Sequence, residues 1–229
     1  MTTISNALQA VRAQILCAAK QCGRSPESIT LIAVSKTVSA ATLRLAYVAG
    51  QQAFAESYAQ EALAKIGELQ DLAITWHFIG PIQSNKTKLI AENFAWVHSV
   101  ERAKIAQRLS DQRPASLPAL NVCLQVNVSG EASKAGVAPE AVADLAQAVA
   151  TLPKIKLRGL MAIPEATLDC SKQRAQFRLL RELRDRLNAQ GHALDCLSMG
   201  MSSDLEAAIA EGATLVRVGS AIFGVRDKA

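Results

Sequence analysis

The feature that most constrains this chain is an alternation. Short apolar runs and amphipathic stretches take turns about eight times, with no linker, low-complexity segment or charge block between them. Apolar runs bounded by turn residues read as buried strands, and apolar residues at 3.6-residue spacing read as helices. Ile4, Leu8, Val11 and Ile15 open the chain as a helix that ends near Gly23. Strands are then expected at 31–36, 52–55, 74–79, 95–100, 120–128, 156–163, 194–199 and 214–218. Helices fall between them, among them 40–49, 86–94, 171–189 and 204–210. Such an order calls for parallel pairing through crossover helices, and a chain of 229 residues closes naturally into a (β/α)8 TIM barrel. Little chain follows the eighth run, so residues 1–23 are expected to cover the gap between the eighth and first strands of a single domain, 1–229. An open doubly wound sheet is the other solution, but it usually brings a Gly-rich turn after its first strand. Ser35-Lys36-Thr37-Val38 has none.

Composition narrows the function classes. Half the residues are hydrophobic, enough for a large core. The first residues, Met1-Thr2-Thr3-Ile4-Ser5-Asn6, lack the pattern of a signal peptide, and no apolar run reaches bilayer length, so a cytoplasmic protein away from membranes is expected. Five cysteines without a Cys-x-x-Cys pair point to reduced thiols rather than a disulfide framework or a zinc site. The net charge of +5 is spread out. Its densest segment, Arg174 to Arg186, interleaves with Phe177, Leu180, Leu183 and Leu187, as a solvated helix face does, and no aromatic platform accompanies it for nucleic acid. No exposed apolar stripe suggests a dimer seam, so a monomer is expected.

The residues that could carry chemistry sit at strand ends. Lys36 closes an apolar strand. A desolvated lysine loses its proton readily and becomes a nucleophile toward aldehydes. The plain alternative is a lysine that marks the exit to solvent. In a barrel, ligands bind at the carboxyl ends of the strands, and phosphates near the seventh and eighth. There the chain reads Ser198-Met199-Gly200-Met201-Ser202-Ser203-Asp204 and Arg217-Val218-Gly219-Ser220, which offer glycines, hydroxyls and helix starts for an anion. Ser203 with Glu206 also fits a capping box, and Gly219-Ser220 a simple turn. Arg217 faces away from Val216 and Val218; beside a pyridine ring it would keep the ring nitrogen unprotonated. His77 sits mid-strand, as a satisfied core histidine does, and no metal or serine-hydrolase motif occurs.

Several blocks together resemble the pyridoxal phosphate homeostasis protein family. They are Ala33-Val34-Ser35-Lys36-Thr37, Phe54-Ala55-Glu56-Ser57-Tyr58, the run from Trp76 to Lys86, Arg158 to Ile163, Ser198 to Asp204, and Arg217 to Gly224. The resemblance implies a barrel like the amino-terminal domain of alanine racemase, with pyridoxal 5'-phosphate (PLP) bound covalently as an aldimine on Lys36. It implies that Ser202, Gly219 and Ser220 hold the phosphate and that Arg217 faces the ring nitrogen. The cofactor-binding set is then Lys36, Ser57, His77, Met199, Ser202, Arg217, Gly219 and Ser220, with no catalytic residue. Where the family usually has Gly-Glu-Asn, this chain has Ala55-Glu56-Ser57, a shorter side chain near the expected ligand. The function implied is a carrier that holds PLP, limits free aldehyde and supplies apo-enzymes. A PLP-dependent amino-acid racemase is the alternative, and a phosphosugar isomerase would use the same phosphate cup without a covalent adduct.

Overall fold

The computed structural model describes residues 3–130 and 135–224. Eight strands pair in chain order into one closed barrel: β1 (Thr30–Val34), β2 (Ala53–Glu56), β3 (Thr75–Phe78), β4 (Trp96–Val100), β5 (Leu120–Gln125), β6 (Ile155–Met161), β7 (Cys196–Ser198) and β8 (Leu215–Val218). Every pairing is parallel, and β1 closes on β8 from Thr30 against Leu215 to Ala33 against Val218. That closure realises the expected (β/α)8 barrel and removes the open-sheet alternative.

The helices are α1 (Ile4–Gln21), α2 (Ala40–Val48), α3 (Ala59–Glu68), α4 (Thr87–Asn93), α5 (Ala103–Gln112), α6 (Val142–Ala150), α7 (Cys170–Ala189), α8 (Leu205–Ala210) and α9 (Ser220–Phe223). Several start where a side chain takes up a free amide. Thr3, Ser39 and Asp169 cap α1, α2 and α7 in this way. Leu8, Val11 and Ile15 of α1 are buried, and the helix packs on α2, α8 and α9, across the seam where the barrel closes. Met1 and Thr2, part of the 1–23 segment expected to do this, lie outside the described residues, as do 131–134 and 225–229. On α7, Phe177, Leu180, Leu183 and Leu187 face the core, while Arg174, Arg178 and Arg181 converge on Glu211 at 2.8, 3.2 and 2.8 Å.

The strand alternation sorts side chains into two layers. Ile32, Val34, Ala55, Cys123, Met161, Cys196 and Leu215 fill the barrel, while Phe54, Phe78, Val97, Val122 and Val216 meet the helices. Most strands are shorter than their apolar runs. Val126 and Val128 are buried beyond the end of β5, where Val126 still donates its N–H to the Met161 carbonyl at 2.8 Å and bridges Val137. The first strand likewise ends at Val34, two residues before Lys36. Among the described residues, no helix is long and apolar enough to cross a membrane.

Candidate functional site

Register gathers the strand-end residues at the carboxyl mouth. Val34, the last residue of β1, pairs with Ala55, so Lys36 and Ser57 both follow the carboxyl ends of neighbouring strands. On the other side Ala33 pairs with Val218, the last residue of β8, so Gly219 and Ser220 leave the barrel at the same mouth. Gly80, after β3, is pressed against this group. A Cβ built there would fall 2.0 Å from the Ser57 carbonyl oxygen, so only glycine lets the two loops approach. Ser57 is half-buried, and Lys36 is exposed on a turn rather than enclosed by the strand. Burial therefore does not activate the amine, which corrects the desolvation argument made from sequence.

The loop after β7 brings in the second hydroxyl. Ser202 Oγ lies 3.5 Å from Ser220 Oγ, although 18 residues separate them in the chain. The loop is shaped from within by Asp204, whose Oδ1 accepts the Met201 N–H at 2.5 Å, and by Gly200, at φ 94°. A Cβ on Gly200 would come within 2.6 Å of Ala208 Cβ. Burial pushes the Asp204 carboxyl above its ordinary range, opposed by the Met201 amide and by Arg217. The capping box between Ser203 and Glu206 does not form: α8 begins after Asp204, and no side chain caps it.

Arg217 projects into the barrel, opposite to Val216 and Val218. It donates to Ser198 Oγ at 2.6 Å and to the Ala162 carbonyl at 2.9 Å. Burial lowers its guanidinium to about 10, where it is still charged at neutral pH. Ser198 Oγ is also 2.7 Å from His98 Nδ1, and His98 Nε2 is 3.0 Å from His77 Nδ1. A guanidinium can only donate. The arrangement that satisfies each group therefore has the Ser198 hydroxyl donating to His98, and His98 donating to His77. Burial holds His77 down to about 3 and His98 well below its ordinary value, so both rings are neutral.

Two of the expected ligand contacts stand apart from the mouth. His77 is buried one layer below Ile79, the next residue on its face of β3, with its ring stacked at 5.5 Å on Trp96. Met199 is fully buried in the layer between barrel and helices, the face that alternation gives it after Ser198. The structure thus gathers Lys36, Ser57, Ser202, Gly219 and Ser220 around the opening, with Arg217 inside it.

One group escaped the sequence reading. Glu56, fully buried at the end of β2, shares Oε1 between Lys65 Nζ at 2.8 Å and Ser35 Oγ at 2.6 Å. Lys65, also buried, reaches Glu61 Oε1 at 2.6 Å and the Ser35 carbonyl at 2.7 Å. Burial raises the Glu56 carboxyl, opposed by Lys65 and Ser35. The spacing of Glu61 and Lys65, four apart on a helix, was the available signal.

The comparisons with known proteins identify the kind of barrel. The model for the alanine racemase N-terminal domain matches residues 7–227, which defines the class of barrel. The pyridoxal phosphate homeostasis protein of Pseudomonas aeruginosa is 62% identical, covering 99% of this chain and 97% of its own. That of Escherichia coli K12 is 50% identical, covering 99% and 98%. PipY of Synechococcus elongatus, solved with PLP bound, is 38% identical with a TM-score of 0.85, covering 96% of this chain and 100% of that one. The chain belongs to the pyridoxal phosphate homeostasis protein family.

Proposed function

We propose that this protein binds PLP through Lys36 as a Schiff base and acts as a cytoplasmic, monomeric carrier that buffers the cofactor and supplies it to apo-enzymes without turnover. The observation that carries the reading is the meeting of a strand-end lysine with the Ser202 and Ser220 hydroxyls at one mouth of the barrel. These residues fit the ligand. Two facing hydroxyls and a glycine-shaped loop suit a phosphate, and a buried arginine, able only to donate, suits a ring nitrogen that stays unprotonated. The relatives' names, and the PLP in PipY, support the same class of ligand.

When bound, PLP supplies a reactive aldehyde. The Lys36 amine nitrogen forms a bond to the aldehyde carbon, and the carbonyl oxygen leaves as water. An exposed amine can react in this way if the phosphate is held first. Anchoring makes the encounter intramolecular and raises the effective concentration of aldehyde at the amine. The bond is reversible, as a carrier requires. A racemase also needs a second proton-transfer group across the ring. Tyr58 is the tyrosine beside the mouth, and it is 53% exposed, so its surroundings do little to exclude water.

Borohydride reduction followed by intact mass and peptide mapping tests the reading. A single PLP adduct on Lys36, absent in Lys36→Ala, is the expected result. No adduct with added PLP would reject covalent binding and leave the phosphosugar barrel in its place. Steady α-proton exchange of alanine that depends on Lys36 would replace the carrier with a racemase.

A further inference from the structure

Lys36 occupies the second position of a tight turn. The Val38 N–H donates to the Ser35 carbonyl at 3.0 Å, which makes Ser35-Lys36-Thr37-Val38 a four-residue turn. Its third residue, Thr37, has φ 62°. Turns of this kind favour glycine or asparagine there, and a β-branched residue at positive φ is strained. Such strain persists only where surrounding contacts over-determine it.

Those contacts come from one ion pair. Glu61 Oε1 accepts the Thr37 N–H at 2.5 Å, and Lys65 Nζ donates to the Ser35 carbonyl at 2.7 Å. The backbone is thus gripped on both sides of Lys36. Lys65 Nζ directs its three N–H donors at Ser35 O, Glu56 Oε1 and Glu61 Oε1, so it is held inside the clamp and not presented as a second nucleophile. Glu56 Oε2 is buried without a hydrogen-bond partner. A fully buried carboxylate left half satisfied is a poor stabilising device, and buried ion pairs are better explained by the geometry they enforce.

We propose that Lys65, with Glu56 and Glu61, positions Lys36: the ion pair holds the strained turn that presents the amine at the mouth it shares with Ser57 and Ser220. The inference rests on the proposed reaction of Lys36 with PLP. Loss of the clamp lets Thr37 relax to negative φ and carries Lys36 away from the phosphate loop, while the loop itself stays intact.

The test measures the rate at which full-length protein forms the borohydride-trapped adduct with PLP, for variants whose circular dichroism matches the native protein. Lys65→Met should slow adduct formation by on the order of ten- to a hundredfold, as misplacement of a reacting group does. Glu61→Ala releases the Thr37 amide from a partly exposed carboxylate, so it tests the clamp even if Lys65→Met fails to fold; a slowing of about fivefold or more is expected. Adding Thr37→Asn to Glu61→Ala should restore most of the rate, because asparagine adopts positive φ readily. A merely structural role for the clamp would give no such rescue. Native rates in folded Lys65→Met and Glu61→Ala would overturn the inference alone. No adduct on the native protein would overturn the underlying reading and the inference with it.

Discussion

The two mouths of the barrel differ in a way that cavity size alone would misjudge. The amino-terminal mouth holds a cavity of about 600 Å³, lined by Arg12, Pro26, Thr30, Gln51, Thr75 and Trp96 among others. Its strongest donors are spent on the backbone. Arg12 donates to the carbonyls of Ala49 and Gly50 at 3.1 and 2.9 Å, and Gln51 Nε2 to those of Leu31 and Ala53 at 2.8 and 2.7 Å. At the carboxyl mouth, where Lys36 also lies, the Ser202 hydroxyl of the loop after β7 faces the Ser220 hydroxyl at the start of α9. In a barrel the amino-terminal face serves stability and the carboxyl face serves ligands, and here the donor chemistry follows that division.

Glycine substitutions at the two ends should show the largest contrast. In Gly80→Ala the new Cβ meets backbone, the Ser57 carbonyl, which cannot swing aside as a side chain can. We expect a loss on the order of 3 kcal/mol in urea unfolding, and weakened PLP uptake in the protein that remains folded. Gly50, at φ 85° by the amino-terminal mouth, has room for a Cβ, its nearest neighbours being Arg12 nitrogens at 3.7 Å. Gly50→Ala should cost about 1 to 2 kcal/mol of left-handed strain and leave PLP affinity unchanged. Equal losses of affinity in the two variants would break the comparison.

Between the mouths lies the histidine pair, and its titration asks whether water from the amino-terminal cavity reaches it. His77 is lowered to about 3 by burial when folded and returns to about 6.5 when unfolded. The unfolded chain therefore binds more protons in that window. The stability is fully present above pH 6.5 and is lost as pH falls toward 3, at about 1.4 kcal/mol per unit for this group. Urea unfolding at pH 7 and pH 5 should differ by about 2 kcal/mol from His77, and His77→Gln should flatten the slope. An unchanged slope would mean that the ring is hydrated through the amino-terminal mouth.

Much of the barrel was legible because apolar periodicity reports burial, and burial dominates a parallel strand. The eight runs follow from spacing, and so does the opposition of Arg217 to Val216 and Val218; that Arg217 faces the barrel interior is seen only in its bonds to Ser198 and Ala162. Strand ends were less so, since Val126 and Val128 remain buried past Gln125, the last residue of β5. Lys36 follows β1 on an exposed turn, the exit to solvent that the sequence left open beside a desolvated lysine. An apolar run before a lysine does not say that the chain turns and exposes it. Nor could the sequence show that Glu56 and Lys65 meet around Ser35, because that contact joins β2 and α3 to the β1 turn and exists only once they pack. His77 read as a satisfied core histidine, but the partner that satisfies it, His98, lies on the next strand.

The finest contrast concerns hydroxyls. Ser202→Ala and Ser220→Ala each remove one donor to a charged group at an exposed site, worth about 1.4 kcal/mol, or tenfold in PLP affinity. Thr30→Ala and Thr75→Ala remove hydroxyls from the other mouth and should leave affinity within about twofold. The ligand can be varied as well. Pyridoxal lacks the phosphate, so its affinity should not respond to either serine variant, and the tenfold loss should appear with PLP alone. If pyridoxal and PLP lost affinity together, the serines would be shaping the mouth rather than holding the phosphate. If the threonine variants matched the serine variants, the carboxyl mouth would lose its claim to be the ligand site. The serines' claim rests on charge as well as position, so raising the ionic strength should weaken PLP more than pyridoxal.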